Sequence, residues 1–170
     1  MTSVLVIDDH PIVLNGGRRA LEDAGVQMVL EARDLVSGYR LYYRRHPDVV
    51  VIDLKMGAQD LGGLSLIRRI RLRDSWTQIL VFSMHDNPVL VTSVLDAGAS
   101  GYLLKGSPSE ELVRAVMQIR AGKPYLISVT RVAIRVALRH SNPQLDPVAN
   151  LTQREIQTLI LLSQGRATVS

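Results

Sequence analysis

Five polar residues carry the chemistry that this sequence can do: Asp8, Asp9, Asp53, Ser83 and Lys105. Each stands in or just after a short apolar run. Val4-Leu5-Val6-Ile7 leads into Asp8-Asp9, Val49-Val50-Val51-Ile52 into Asp53, Ile79-Leu80-Val81-Phe82 into Ser83, and Gly101-Tyr102-Leu103-Leu104 into Lys105. Three carboxylates, a hydroxyl and an ammonium, if they meet, make a site for a hard cation and a phosphoryl group. An ionised carboxylate can attack phosphorus when a cation offsets the charge of the phosphoryl oxygens, because positioning and electrostatics dominate phosphoryl transfer. Asp53 fits the nucleophile. Asp8 and Asp9 beside it fit a magnesium site, since that ion takes a few carboxylates and completes its shell with water and phosphate. Crowded carboxylates repel and raise a pKa, so a cation or Lys105 must balance them. Taken singly, each residue has a commoner use: Asp as a helix cap, Ser in a turn, Lys in solvent. Their joint placement is what argues for chemistry.

The elements that must position them follow from the same runs. Apolar runs without polar alternation predict strands buried on both faces, as in a parallel sheet covered by helices. In such sheets the C-terminal strand ends converge on a crevice where the strand order reverses. Between the strands, Pro11 to Ala24, Leu35 to Arg45, Leu64 to Arg73, Asn87-Pro88 to Ala97 and Ser109 to Ala121 have helical spacing. Proline at the first turn, Asn87 as a cap, His46-Pro47 as a stop and Gly122 as a terminator mark their ends. Met28 to Ala32 reads as a second, weaker strand. The expected fold is α/β, a doubly wound five-stranded parallel sheet, followed by a helical linker and an all-α tail.

Bulk properties bound the function. The chain has 170 residues, 46% hydrophobic, and no cysteine, which excludes disulfides, thiolate metal sites and cysteine nucleophiles. No stretch approaches the ~18 apolar residues of a membrane span, and the start lacks a basic region before an apolar one, so a cytoplasmic protein without a membrane partner is expected. The net charge is +4; residues 1–120 balance, and beyond them Lys123, Arg131, Arg135, Arg139, Arg154 and Arg166 face only Asp146 and Glu155. That excess fits either proximity to nucleic acid or a solvated linker. Histidines 10, 46, 85 and 140 lack metal-ligand spacing and read as surface or loop residues, and Gly62-Gly63 does not form a nucleotide loop.

Four motifs resemble those of two-component response regulators of the NarL/FixJ class, which carry a LuxR-type helix-turn-helix. They are Val6-Ile7-Asp8-Asp9-His10-Pro11, Val51-Ile52-Asp53-Leu54-Lys55-Met56, Phe82-Ser83-Met84-His85-Asp86 and Ala97-Gly98-Ala99-Ser100-Gly101-Tyr102-Leu103-Leu104-Lys105, with Ser107 to Leu112 continuing the match. Leu151-Thr152-Gln153-Arg154-Glu155 resembles the opening of the DNA-binding domain, with a capping-box spacing at Thr152 and Glu155.

The resemblance implies a flavodoxin-like receiver of strand order 2-1-3-4-5 over residues 1–121, a linker with one helix (Ile127 to His140) over 122–148, and the first helix of an incomplete helix-turn-helix over 149–170. It implies Asp53 as phosphoacceptor charged by a sensor histidine kinase, and Mg²⁺ held by Asp8, Asp9, Asp53 and the backbone carbonyl of Lys55. Ser83 and Lys105 would contact the phosphoryl group, and Ser83 and Tyr102 would form the switch. A half-buried aromatic at a strand end is the plainer reading of Tyr102. Phosphorylation is expected to favour a homodimer, and the full-length parent to bind DNA. Because the tail supplies no recognition helix, this chain is expected to show no sequence-specific DNA binding.

Two readings compete: a Mg²⁺-dependent phosphohydrolase with an aspartyl-phosphate intermediate, and a degenerate receiver that no longer takes phosphate. Hydrolases of the haloacid-dehalogenase type carry their nucleophile on the first strand, and the set of five residues is complete, so a phosphoacceptor with at most slow self-dephosphorylation is expected, not an enzyme. One departure stands out. Gly57 follows Met56 where the class usually has proline, in a loop about two residues longer than usual, and glycine there is expected to loosen it. Lys55 and the bulky Met84 are expected to alter rates.

Overall fold

The computed structural model describes residues 1–57 and 61–126. The expected helix Ile127 to His140, the Thr152–Glu155 cap, the rest of the tail and the middle of the Gly57 loop lie outside the described residues.

Strands and helices alternate: β1 (Ser3–Ile7), α1 (Pro11–Asp23), β2 (Met28–Ala32), α2 (Leu35–Arg45), β3 (Val49–Ile52), α3 (Gly62–Arg71), β4 (Gln78–Ser83), α4 (Pro88–Asp96), β5 (Gly101–Leu104), α5 (Ser109–Arg120) and β6 (Tyr125–Leu126). All pairings are parallel, in the order β2-β1-β3-β4-β5-β6. The first five strands take the expected order. The sixth is a difference: two residues beyond α5 add to the edge, with Tyr125 opposite Gly101 and Leu126 opposite Tyr102.

Alternation within the strands divides the core into two layers. Val4, Val6, Val49 and Val51 pack with Leu14 and Leu21 of α1 and Leu112, Val116 and Ile119 of α5. Leu5, Ile7, Val50 and Ile52 pack on the other face with Leu64, Ile67 and Ile70 of α3 and Val91 and Val94 of α4. Both faces are apolar, which is why these runs show no polar alternation.

The helix ends follow their local chemistry. Pro11 and Pro88 occupy first-turn positions, and the Asn87 side chain accepts the N–H of Val89. His46, before Pro47, leaves α2 in the left-handed region at φ 45°. Gly63 has a packing reason: a Cβ there would lie 2.3 Å from the Asp53 carbonyl oxygen. The glycine lets α3 start directly against the end of β3.

Asp74 ties α2 to the segment that leads into β4. Its Oδ1 accepts the N–H groups of Trp76 and Thr77 at 2.6 and 3.1 Å, and its Oδ2 the hydroxyls of Thr77 and Tyr42 at 2.5 and 3.0 Å. Burial works to raise its pKa, but these four donors outweigh it and hold the carboxyl at about 2. A folded pKa below the unfolded value near 3.9 contributes stability above that pH and loses it as pH falls towards 2. The contribution is on the order of 1–2 kcal/mol, given partial exposure. Asp74→Ala is expected to cost about 2–3 kcal/mol at pH 7, since it leaves four donors unpaired. Urea unfolding of both proteins should show the difference narrowing between pH 4 and pH 2.

Candidate functional site

β1 and β3 are neighbours, yet the chain reaches β3 only after laying β2 on the opposite side of β1. The strand order reverses between them, and the crevice beyond their C-terminal ends is where such sheets hold ligands. Asp8 and Asp9 follow β1 there, and Asp53 follows β3, its N–H donating to the Ile7 carbonyl at 3.0 Å. Ligand atoms of Asp8, Asp9, His10 and Asp53 all lie within 4.8 Å of one another.

Lys105, at the end of β5, closes the set. Its Nζ lies 2.7 Å from Asp8 Oδ2 and 2.8 Å from Asp53 Oδ2, and its side chain is 6% exposed. One ammonium therefore sits between two carboxylates that are themselves almost wholly buried. Desolvation raises the Asp53 pKa, the bonds to Lys105 oppose that, and the Asp8 charge adds to the rise; the net direction is up. For Lys105, desolvation pulls down, but its bonds to Asp53 and Asp8 prevail and its pKa rises.

The other face of the cluster is open. Asp53 Oδ1 accepts the Lys55 N–H at 3.3 Å, and a pocket of about 390 Å³ lies against Asp9, His10, Asp53, Lys55, Met84 and Lys105. Asp9 Oδ2 accepts the Gly57 N–H at 3.0 Å. Asp9 Oδ1 is buried, and among the described residues no donor is aligned for a hydrogen bond to it, although the His10 ring stands 2.9 Å away. Hard carboxylate oxygens, one of them without a bonded partner, suit a hard divalent cation.

Ser83 is fully buried and its Oγ accepts the His85 N–H at 3.2 Å. The Tyr102 ring is fully buried too, not half-buried, with its hydroxyl donating to the His85 carbonyl at 2.6 Å. Burial pushes that phenol up to about 12, so it stays a donor. Ser83 and Tyr102 thus hold the same short segment from two sides.

The structure brings Asp8, Asp9, Asp53 and Lys105 into one cluster; Ser83 joins it through its carbonyl, which accepts the Lys105 N–H at 2.9 Å, and Tyr102 stands behind it, bonded to His85. The structure adds three features. His10, read as a loop residue, is exposed but directs Nδ1 to Asp8 Oδ1 at 2.9 Å; its position after two acids was the available signal. His85 joins the pocket wall and, through its backbone, links Ser83 to Tyr102. Gly57, expected from the sequence to loosen its loop, has a further role: at φ 61° it donates an N–H to Asp9 that proline lacks.

The model of the response regulator receiver domain matches residues 4–117. The chain is 33% identical over 162 residues to the methanol utilization control regulatory protein MoxX of Paracoccus denitrificans, covering 95% of this chain and 72% of that one. It is 37% identical over 165 residues to the nitrate/nitrite response regulator protein NarP of Escherichia coli, covering 95% and 74%. A crystal structure of a LuxR-family two-component response regulator from Aurantimonas sp. SI85-9A1 superposes with a TM-score of 0.72 at 36% identity, covering 81% of this chain and 99% of that one.

Proposed function

This chain belongs to the response regulator receiver family, with NarL/FixJ-class relatives, and on that premise we propose that it is a switch charged on Asp53 by a sensor histidine kinase. A carboxylate oxygen of Asp53 attacks phosphorus, and the P–N bond of the kinase phosphohistidine breaks with its electron pair going to the imidazole. Asp8, Asp9, Asp53 and the Lys55 carbonyl would hold Mg²⁺, which offsets charge on the phosphoryl oxygens. Lys105 is placed to exchange one Asp53 oxygen for a phosphoryl oxygen without moving far. The Ser83 hydroxyl, now accepting from His85, would turn to donate to the phosphoryl group. That movement would pull on the segment that Tyr102 grips and bias the α4-β5-α5 surface, favouring a homodimer and, in the full-length protein, DNA binding through a helix-turn-helix. The role is that of a phosphoacceptor with slow self-dephosphorylation, not an enzyme with a released product.

The observation that carries this reading is the Lys105 ammonium shared by Asp8 and Asp53 beneath an open pocket. Incubation with acetyl phosphate and Mg²⁺, read by intact mass, is expected to yield one phosphoryl adduct per chain. Continuous turnover without an adduct would mean a hydrolase, and neither adduct nor turnover would mean a degenerate receiver. By calorimetry, Mg²⁺ is expected to bind at least tenfold more tightly when beryllofluoride occupies Asp53, because the phosphoryl mimic completes a shell for which the protein has few ligands. Equal affinity in both states would point to a different cation arrangement.

A further inference from the structure

The balance of charge over residues 1–120 hides a strong segregation. α2 and α3 together carry six arginines (40, 44, 45, 68, 69 and 71) and no acidic residue. α1, α4 and α5 carry four arginines (18, 19, 114 and 120) against Glu22, Asp23, Asp96, Glu110 and Glu111. Arg71 is used internally, donating to the carbonyls of Gly98 and Asp74. The other five, with Arg73, are exposed, and none of the six makes a salt bridge among the described residues. The bordering carboxylates of Asp34, Asp48 and Asp74 are already committed, to Ser37, to Ser3, and to Tyr42, Trp76 and Thr77.

Aromatic rings are interleaved with these cations. The Arg69 guanidinium lies 4.3 Å from the Tyr39 ring centroid and that of Arg73, just past the end of α3, lies 5.7 Å from Tyr43, so the same arginine-on-tyrosine contact recurs four residues further along each segment. Tyr39 and Tyr43 stand 6.5 Å apart, and Tyr43 is 6.4 Å from His46. At the end of this ladder a groove of about 810 Å³ is lined by Tyr43, His46, Arg73, Trp76 and Arg120, together with the hydrogen-bonded carboxylates of Asp48 and Asp74. Trp76 is the chain's one tryptophan and is 86% exposed, which leaves its ring face open at the groove.

We propose that the α2–α3 face and its groove form a binding surface for single-stranded nucleic acid, with the arginines on successive phosphates and Trp76 and Tyr43 stacking on unpaired bases. Charge complementarity calls for a polyanion, and exposed rings among the cations favour one whose bases are free to stack, since a duplex hides its base faces. The groove lies at the opposite end of the strands from Asp53, beside Asp48 and Gln78 where β3 and β4 begin, so the proposal does not rest on the phosphoacceptor reading.

The test uses the full chain with a labelled single-stranded DNA of mixed sequence, about twelve nucleotides long. Anisotropy reports binding, and the fluorescence of the lone tryptophan reports the groove. Binding should quench Trp76 and, with about four phosphates engaged, weaken roughly fiftyfold between about 50 and 200 mM salt. Arg44→Glu with Arg73→Glu should abolish it, and Trp76→Ala should weaken it about tenfold. Arg19→Glu, exposed on α1, should leave it unchanged, as should Asp53→Asn. Circular dichroism confirms that each variant is folded. No binding at the lower salt would overturn the proposal. So would binding that survives the Arg44/Arg73 double change, which would assign it to another part of the chain. Equal binding of heparin, insensitive to Trp76→Ala, would mean a surface for anionic polymers or acidic proteins and would likewise overturn it.

Discussion

Asp53→Asn is expected to take up no phosphoryl group from acetyl phosphate or a kinase, while the same label accumulates on the unchanged protein. The substitution removes the nucleophile and leaves the space filled. The fold should be indifferent or slightly more stable. Desolvation raises the Asp53 pKa, so its charged form is less favourable in the folded pocket than in the unfolded chain at neutral pH. Lys105 retains Asp8 as a partner in the variant, so no buried cation is stranded. Intact mass after a long incubation measures the first point and urea unfolding the second. Labelling of the variant at the unchanged rate would remove Asp53 from the chemistry; loss of label together with loss of fold would leave only a structural role.

What the sequence made legible, and what it did not, divides along the range of the interactions involved. β1, β3, β4 and β5 were readable because burial on both faces leaves four or more apolar residues in a row, and the reactive residues stood at their ends. Tyr125–Leu126 was not, because two residues carry no period. The caps at Asn87 and before Pro47 are local and were visible; the Asp74 cluster joins α2 to the start of β4 over 32 residues and left no local trace. Gly63 and Gly57 looked like loop residues. The first proves to be a close approach to the Asp53 backbone, and the second a donor to Asp9, 48 residues away in sequence. Charge counting failed in an instructive way: an even balance along the chain became a basic face once the helices were laid on the sheet, since composition is blind to which helices are adjacent.

Loss of Lys105 should disturb the resting protein strongly. With Lys105→Met, the buried carboxylates of Asp8 and Asp53 lose the cation they share and repel each other. Removing one partner of a buried ionic group typically costs about 3–5 kcal/mol. The side chain of Lys105 is buried, as are those of both acids, so solvent offers little relief. The same electrostatics gives a signature that simple misfolding would not. Without Lys105 the Asp53 pKa, already raised, must rise further, because its main opposing influence is gone while desolvation and the Asp8 charge remain. An acid whose folded pKa exceeds its unfolded value favours the folded state at low pH and loses that benefit as pH climbs through the folded pKa. The variant should therefore recover stability relative to the unchanged protein on going from pH 7.5 to pH 5, when a proton takes the place of the ammonium. A divalent cation should do the same at neutral pH, so Mg²⁺ is expected to stabilise the variant more than the unchanged protein. Urea unfolding followed by circular dichroism, at both pH values with and without Mg²⁺, reads all three effects. A stability loss that is the same at both pH values and untouched by Mg²⁺ would show that Lys105 acts through packing, not as the counter-ion of the two carboxylates.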